Sequence, residues 1–209
     1  RHVLVYRTVA MMGGTILPPA GQDAKPESPA ANSSMMSDMG ALLACHAYSA
    51  ANWLAMHCQR HMHLYGTTKE QLGWLAINSR RNAALNPLAV YRDPMTMDDY
   101  LGARMVSTPF GLLDCDVPVD GSIAVVVSID DHAKNCPNDA IHVAAIGGST
   151  GEGGWTRRPD YPKMASVDAA AEMWSRTDLT ASDIDIAELY DGFTYLTFAW
   201  LEALGICGD

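Results

Sequence analysis

An α/β fold is predicted by two strong signals and by how they are arranged. Residues 123–129 (Ile-Ala-Val-Val-Val-Ser-Ile) are a β-branched run and the strongest strand signal in the chain. Two stretches, 41–65 and 68–84, carry helix-forming residues without an interrupting Pro. Strand and helix signals are mixed along the 209 residues, which is the pattern of a sheet with helices packed on it.

Residues 2–7 open the chain as a short Val-rich apolar run, expected to be a buried strand. Residues 13–40 are rich in Gly, Pro, Ser and Asn, with Pro18-Pro19, Pro26 and Pro29, and are expected to be irregular. A helix is expected from about Ala41 to Tyr65, ended by Gly66. Thr67 or Thr68 caps the next helix, with Glu70 and Gln71 able to answer from its first turn, and Asn86-Pro87 stops it. Thr96-Met-Asp-Asp99 starts a short helix ending near Met105. The strand at 123–129 follows a turn at Asp120-Gly121, and 141–146 is expected as a second strand broken by Gly147-Gly148. A Gly- and Pro-containing loop covers 149–164, and 167–176 reads as a helix. Thr180-x-x-Asp183 turns the chain into an apolar stretch at 184–189, and a last helix covers 193–204 with Gly205 as its stop.

The balance of 14 basic against 24 acidic residues gives a net charge of -10. That argues against nucleic acid and against anionic membrane surfaces, both of which require basic patches. No apolar run reaches the ~18–20 residues of a bilayer span. The five cysteines are scattered without a Cys-x-x-Cys pair, so reduced thiols in a cytoplasm are expected. The chain begins Arg1-His2 directly before the apolar run, which suggests that its natural start lies elsewhere.

Two blocks carry a family resemblance. The first runs His63-Leu-Tyr-Gly-Thr-Thr-Lys-Glu-Gln-Leu72, Arg80-Arg-Asn-Ala-Ala-Leu-Asn-Pro-Leu-Ala89, Pro94-Met-Thr-Met-Asp-Asp-Tyr-Leu101 and Pro109-Phe-Gly-Leu-Leu-Asp-Cys-Asp116, then Asp120-Gly121. The second is Ser182-Asp-Ile-Asp-Ile-Ala-Glu-Leu-Tyr-Asp-Gly-Phe-Thr194. Their order resembles the thiolase superfamily. In it a Tyr-Gly-x-Thr-x-Glu-Gln helix start precedes an Asn-Pro segment, a Leu-Asp-Cys turn, a Ser-Asp-Gly-Ala strand entry and an Asn-Glu-Ala-Phe segment. Val119, Ser122 and Ile123 depart from that strand entry.

The resemblance implies part of a layered αβαβα fold. Residues 1–10 would end the N-terminal half, 11–110 form the loop domain, 111–135 hold the last strand of the first half and 136–209 start the C-terminal half. It implies action on an acyl-CoA thioester, making or breaking a carbon–carbon bond next to the thioester as a thiolase-like acyltransferase or lipid-transfer protein. No cofactor is implied beyond the coenzyme A of the substrate. A homodimer is implied, and in the aldolase branch a small OB-fold partner.

The departures are informative. Where degradative thiolases have Asn and sterol-carrier types have His, this chain has Tyr190, followed by Asp191. A phenol can donate one hydrogen bond to a developing oxyanion or carry a proton. Tyr-Asp-x-Phe-Thr resembles the lipid-transfer branch that includes retro-aldolases of steroid side-chain β-hydroxyacyl-CoA esters. The other reading of Tyr190 is a large side chain closing a helix start. By the same resemblance Trp155, Tyr161 and Phe193 border the substrate, although aromatic residues in a Gly-rich loop commonly serve as packing anchors.

Thiolase chemistry needs a nucleophilic Cys, an activating His and a second Cys. By resemblance these lie before residue 2 and after residue 209. The five cysteines present are expected to be structural, Cys115 because Asp114 and Asp116 suppress its thiolate. His57 and His61, spaced i, i+4 near Cys58 and His63, could face a metal, but the reading preferred is a solvated helix face with no metal. The glycines at 147–148, 151 and 153–154 lack the spacing of a phosphate loop. A non-catalytic lipid carrier or assembly subunit is the alternative of another class.

Overall fold

The computed structural model describes residues 2–9, 40–136, 138–149 and 158–208. The irregular stretch expected at 13–40 lies outside the described residues except for Gly40. In chain order the elements are strand β1 (His2–Val9), helices α1 (Ala50–Tyr65), α2 (Lys69–Ala83) and α3 (Met97–Leu101), and strands β2 (Met105–Ser107) and β3 (Phe110–Gly111). A 3-10 turn at Leu112–Asp114, strand β4 (Gly121–Ser128), helix α4 (Ala165–Trp174), a 3-10 turn at Ala181–Asp183 and helix α5 (Thr194–Ala203) follow. The described residues divide into two units, 2–9 with 117–144 and 40–116 with 145–208.

In the first unit β1 and β4 form an antiparallel ribbon, in register from His2 opposite Ser128 to Val9 opposite Gly121. Thr8 and Ser122 hydroxyls meet at 2.9 Å across it. Both expected strands are present, but β1 is not the buried strand that its composition suggested. Successive strand residues point to opposite faces, and Val3 and Leu4 are 58% and 62% exposed. Runs apolar on both faces are typical of strands covered on both sides. Among the described residues of this unit nothing covers either face. The expected strand at 141–146 is likewise corrected. Ile141 and Val143 are exposed, and this run finds no ladder partner among the described residues.

The second unit holds the core. Leu54, Ala55 and Cys58 of α1 pack with Leu72 of α2, Tyr100 of α3, Phe110 of β3, and Phe193 and Tyr195 at the start of α5. Each large apolar side chain buried here contributes about 1.5–3 kcal/mol. Gly73 brings α3 onto α2, because a Cβ at that position would stand 2.7 Å from Met97 Sδ and from Tyr100 Cδ1.

The helix expected over 41–65 is two pieces. A turn of helix at 40–44 ends at Cys45 and His46, and α1 restarts at Ala50 after its cap, Ser49. His46 has φ 61°, a left-handed backbone that a continuing helix cannot contain. Gly66 closes α1 with φ 75°, a conformation that glycine adopts without a Cβ penalty. Thr68 and Gln71 cap α2 reciprocally, with Thr68 N donating to Gln71 Oε1 at 2.8 Å. Thr96 and Asp99 cap α3 in the same manner. Helix α3 is shorter than expected, because the chain turns at once into the hairpin β2–β3.

Candidate functional site

The most interconnected polar group in the second unit is the carboxylate of Asp114, at the end of the 3-10 turn after β3. Its side chain is fully buried. It accepts hydrogen bonds from Gly111 N at 2.7 Å and Thr194 Oγ1 at 2.7 Å, and from the Tyr100 hydroxyl and the Lys69 ammonium. A buried carboxylate is tolerable only when its lone pairs are filled in this way. Lys69, the first residue of α2, also lies 4.4 Å from the centre of the Tyr100 ring. Burial, helped by donation to Asp114, keeps the Tyr100 phenol protonated well above its ordinary range.

Through this group the turn at 111–116 grips the segment leading into α5. Thr194 is bonded to Asp114, Cys115 pairs with Phe193 in an antiparallel bridge, and Asp116 N donates to Gly192 O at 3.2 Å. The Phe193 ring stacks on Phe110 with centroids 5.3 Å apart. Residues 192–194 are therefore buried and anchored, while the preceding Tyr190 and Asp191 are exposed. Tyr190 is 66% exposed, its hydroxyl forms no hydrogen bond among the described residues, and its ring lies back against Gly192. Among the described residues it is an unengaged donor beside an anchored segment.

Tyr161 stands apart from this segment. Its ring is 4.4 Å from that of His57, and burial raises its phenol pKa. Among the described residues no hydrogen bond or ring contact joins it to Tyr190 or Asp191. Phe193 sits in the core, so what it offers a ligand is support for its neighbours. Trp155 lies outside the described residues.

The histidine pair is not on a solvated face, as its spacing and polarity suggested. His57 and His61 are both buried. His57 Nδ1 lies 3.2 Å from Trp53 O. His61 Nδ1 meets Thr67 Oγ1 at 2.8 Å and its Nε2 meets the Glu202 carboxylate at 3.0 Å. Glu202, 141 residues away, is a partner that spacing could not reveal. A cavity of about 100 Å³ borders His61, lined also by Tyr65, Ser166, Tyr195 and Glu202. Among the described residues no group of three His, Cys, Asp or Glu side chains is placed to hold a metal.

Among the described residues no disulfide joins any of the five cysteines. Burial, then the Asp114 charge, pushes the Cys58 thiol up to about 12. Burial and the charges of Asp114 and Asp116 also raise Cys115. Neither is an activated nucleophile. No helix among the described residues is long and apolar enough to cross a membrane.

Residues 147–209 match the family described as thiolase C-terminal domain-like. A steroid side-chain-cleaving aldolase from Thermomonospora curvata is 34% identical over 188 residues, covering 81% of this chain and 47% of the relative. The solved structure of the Ltp2-ChsH2(DUF35) aldolase superposes with a TM-score of 0.83 and 30% identity over 100% of this chain and 52% of that one. The chain belongs to the thiolase superfamily. An acetyl-CoA acetyltransferase from Methanothermobacter thermautotrophicus is also 34% identical, over 72% of this chain and 40% of the relative. This thiolase-superfamily chain thus spans about half the length of the curated relatives it matches, and its fold is the α/β thiolase-like one.

Asp114, Lys69, Tyr100 and Thr194 were not singled out by sequence reasoning. The signal available was an acidic residue inside the apolar run Phe110-Gly-Leu-Leu-Asp-Cys115, a place where a charge must have partners.

Proposed function

We propose that the protein containing this chain cleaves a carbon–carbon bond next to an acyl-CoA thioester by retro-aldol chemistry, on a steroid side-chain β-hydroxyacyl-CoA. The observation that supports this best is the exposed phenol of Tyr190, without a hydrogen-bond partner among the described residues, on the segment anchored at Asp114. In a retro-aldol step a base removes the β-hydroxyl proton. The Cα–Cβ bond then breaks to leave a carbonyl compound and the enolate of the shortened thioester, which is protonated at Cα. A phenol O–H aimed at the thioester oxygen stabilises that enolate without an acylated cysteine. Asp191, exposed beside it, is the carboxylate proposed to take the hydroxyl proton. Tyr161 and, outside the described residues, Trp155 are proposed as substrate contacts, with Phe193 as the support beneath.

The reaction needs no cofactor beyond the coenzyme A carried by the substrate. The likeness to an aldolase solved with a second component supports a partner subunit, and a homodimer in a reducing cytoplasm is proposed with it. Thiolytic acyl transfer is the second reading, favoured by the equal identity to an acetyl-CoA acetyltransferase. Incubating the full-length protein and its partner with a β-hydroxyacyl-CoA separates the two. Retro-aldol cleavage releases one carbonyl product per acyl-CoA shortened and consumes no free CoA, whereas thiolysis of a β-ketoacyl-CoA consumes one CoA per bond. Tyr190→Phe should lower turnover about 100-fold with an unchanged unfolding midpoint. A wild-type rate would remove Tyr190 from the chemistry.

A further inference from the structure

We infer that Gly192 is a positioning residue for the Tyr190 phenol, an inference that rests on the catalytic reading of Tyr190. A Cβ built on Gly192 would stand 2.6 Å from Cζ and 2.9 Å from Cε1 of Tyr190, and closer still to its hydroxyl oxygen. These are distances that real carbon atoms do not reach, so the ring occupies the space that any other residue at 192 would fill. The reason for a glycine here is not its backbone. The glycines with positive φ among the described residues are Gly66 and Gly205, so an alanine at 192 meets no left-handed strain.

Which side would yield to that collision is decided by the surroundings. The backbone of Gly192 is held by the bond from Asp116 N at 3.2 Å, and its neighbour Phe193 is bridged to Cys115 and stacked on Phe110. Tyr190 is 66% exposed, and among the described residues no hydrogen bond keeps its ring in place. A methyl group at 192 therefore turns the ring and leaves the backbone where it is. A side chain with few contacts takes its direction from its seat. At a reacting centre, displacement of a donor by about 1 Å is enough to lose on the order of 100-fold in rate.

The test is Gly192→Ala in the full-length protein with its partner subunit. We expect kcat to fall at least 10-fold, KM to stay within about 3-fold, and the urea midpoint to match the wild type. With 3-fluorotyrosine at position 190, the fluorine resonance should move in the Gly192→Ala background. A wild-type kcat, an unmoved resonance or a lowered midpoint would each overturn the inference, the last because the backbone would have given way instead of the ring. If Tyr190→Phe loses turnover while Gly192→Ala keeps it, only the positioning role fails. If Tyr190→Phe itself keeps the wild-type rate, the catalytic reading is what has failed.

Discussion

Thr194 Oγ1 donates to the buried Asp114 carboxylate at 2.7 Å, joining residues 80 apart in sequence. This bond ties the turn after β3 to the start of α5, and with it the fixed end of the segment that carries Tyr190. Removing the two partners should have unequal effects. Thr194→Val deletes one of four donors and should cost about 1–2 kcal/mol. Asp114→Ala strands the Lys69 ammonium and the Tyr100 hydroxyl together, and should cost about 3 kcal/mol or more. Urea unfolding of the full-length variants measures both, and equal costs would show that the carboxylate is not the hub.

Cys58 offers a titration with a defined sign. Its folded-state value is raised from the ordinary 9.0 to about 12. Between those values the unfolded chain releases a proton that the folded chain retains, so the unfolded state binds fewer protons and stability falls as pH rises. Cys58→Ser should flatten that decline between about pH 9.0 and 12. In the native protein at pH 8, iodoacetamide should label the exposed Cys45, Cys136 and Cys207 and spare Cys58 until denaturant is added. Early labelling of Cys58 would contradict its burial.

Gly73→Ala tests the close approach of α2 and α3. The added methyl meets the Tyr100 ring and Met97 at 2.7 Å, where it has no room. Tyr100 is tethered to Asp114 and cannot swing away freely, so a loss of roughly 1–3 kcal/mol is expected despite the better helix propensity of Ala. A gain in thermal midpoint would mean that α3 adjusts at little cost.

Glu202→Leu should cost about 1–3 kcal/mol, because it leaves the Nε2 of the buried His61 facing an apolar side chain. Glu202→Gln keeps an acceptor at the same reach and should recover most of that loss. If both variants unfold at the same urea concentration, the His61 contact contributes little.

How far these features could be read beforehand followed from how local their causes are. Thr68 and Gln71 satisfy each other within one turn, so the start of α2 was legible in four letters. The break before α1 was within reach too, since Ser49 is a preferred cap, but the left-handed backbone at His46 has no sequence mark. The failures belong to long-range partners. The pair His57 and His61 reads as a wet face only while Thr67 and Glu202 are unseen, and residues 141–146 carry a strand's composition without a strand beside them among the described residues. Tyr190 and Asp191 stood out because a phenol replaced an amide in a familiar segment. Asp114 lies in the Leu-Asp-Cys turn, where its sequence neighbours reveal only its charge beside the Cys115 thiol. Its partners come from α2, α3 and α5, and only folding assembles them.

The ribbon of β1 and β4 bears on how the molecule behaves in a test tube. Leu4, Tyr6, Ile123 and Val126 are each more than 60% exposed on it, and a wet, sticky surface of this kind recruits copies of itself edge to edge. Samples left without a covering surface should turn cloudy as concentration rises and should light up hydrophobic dyes. Replacing Val3 and Val125 with threonine, a strand-compatible residue, is the simplest route to a clear solution.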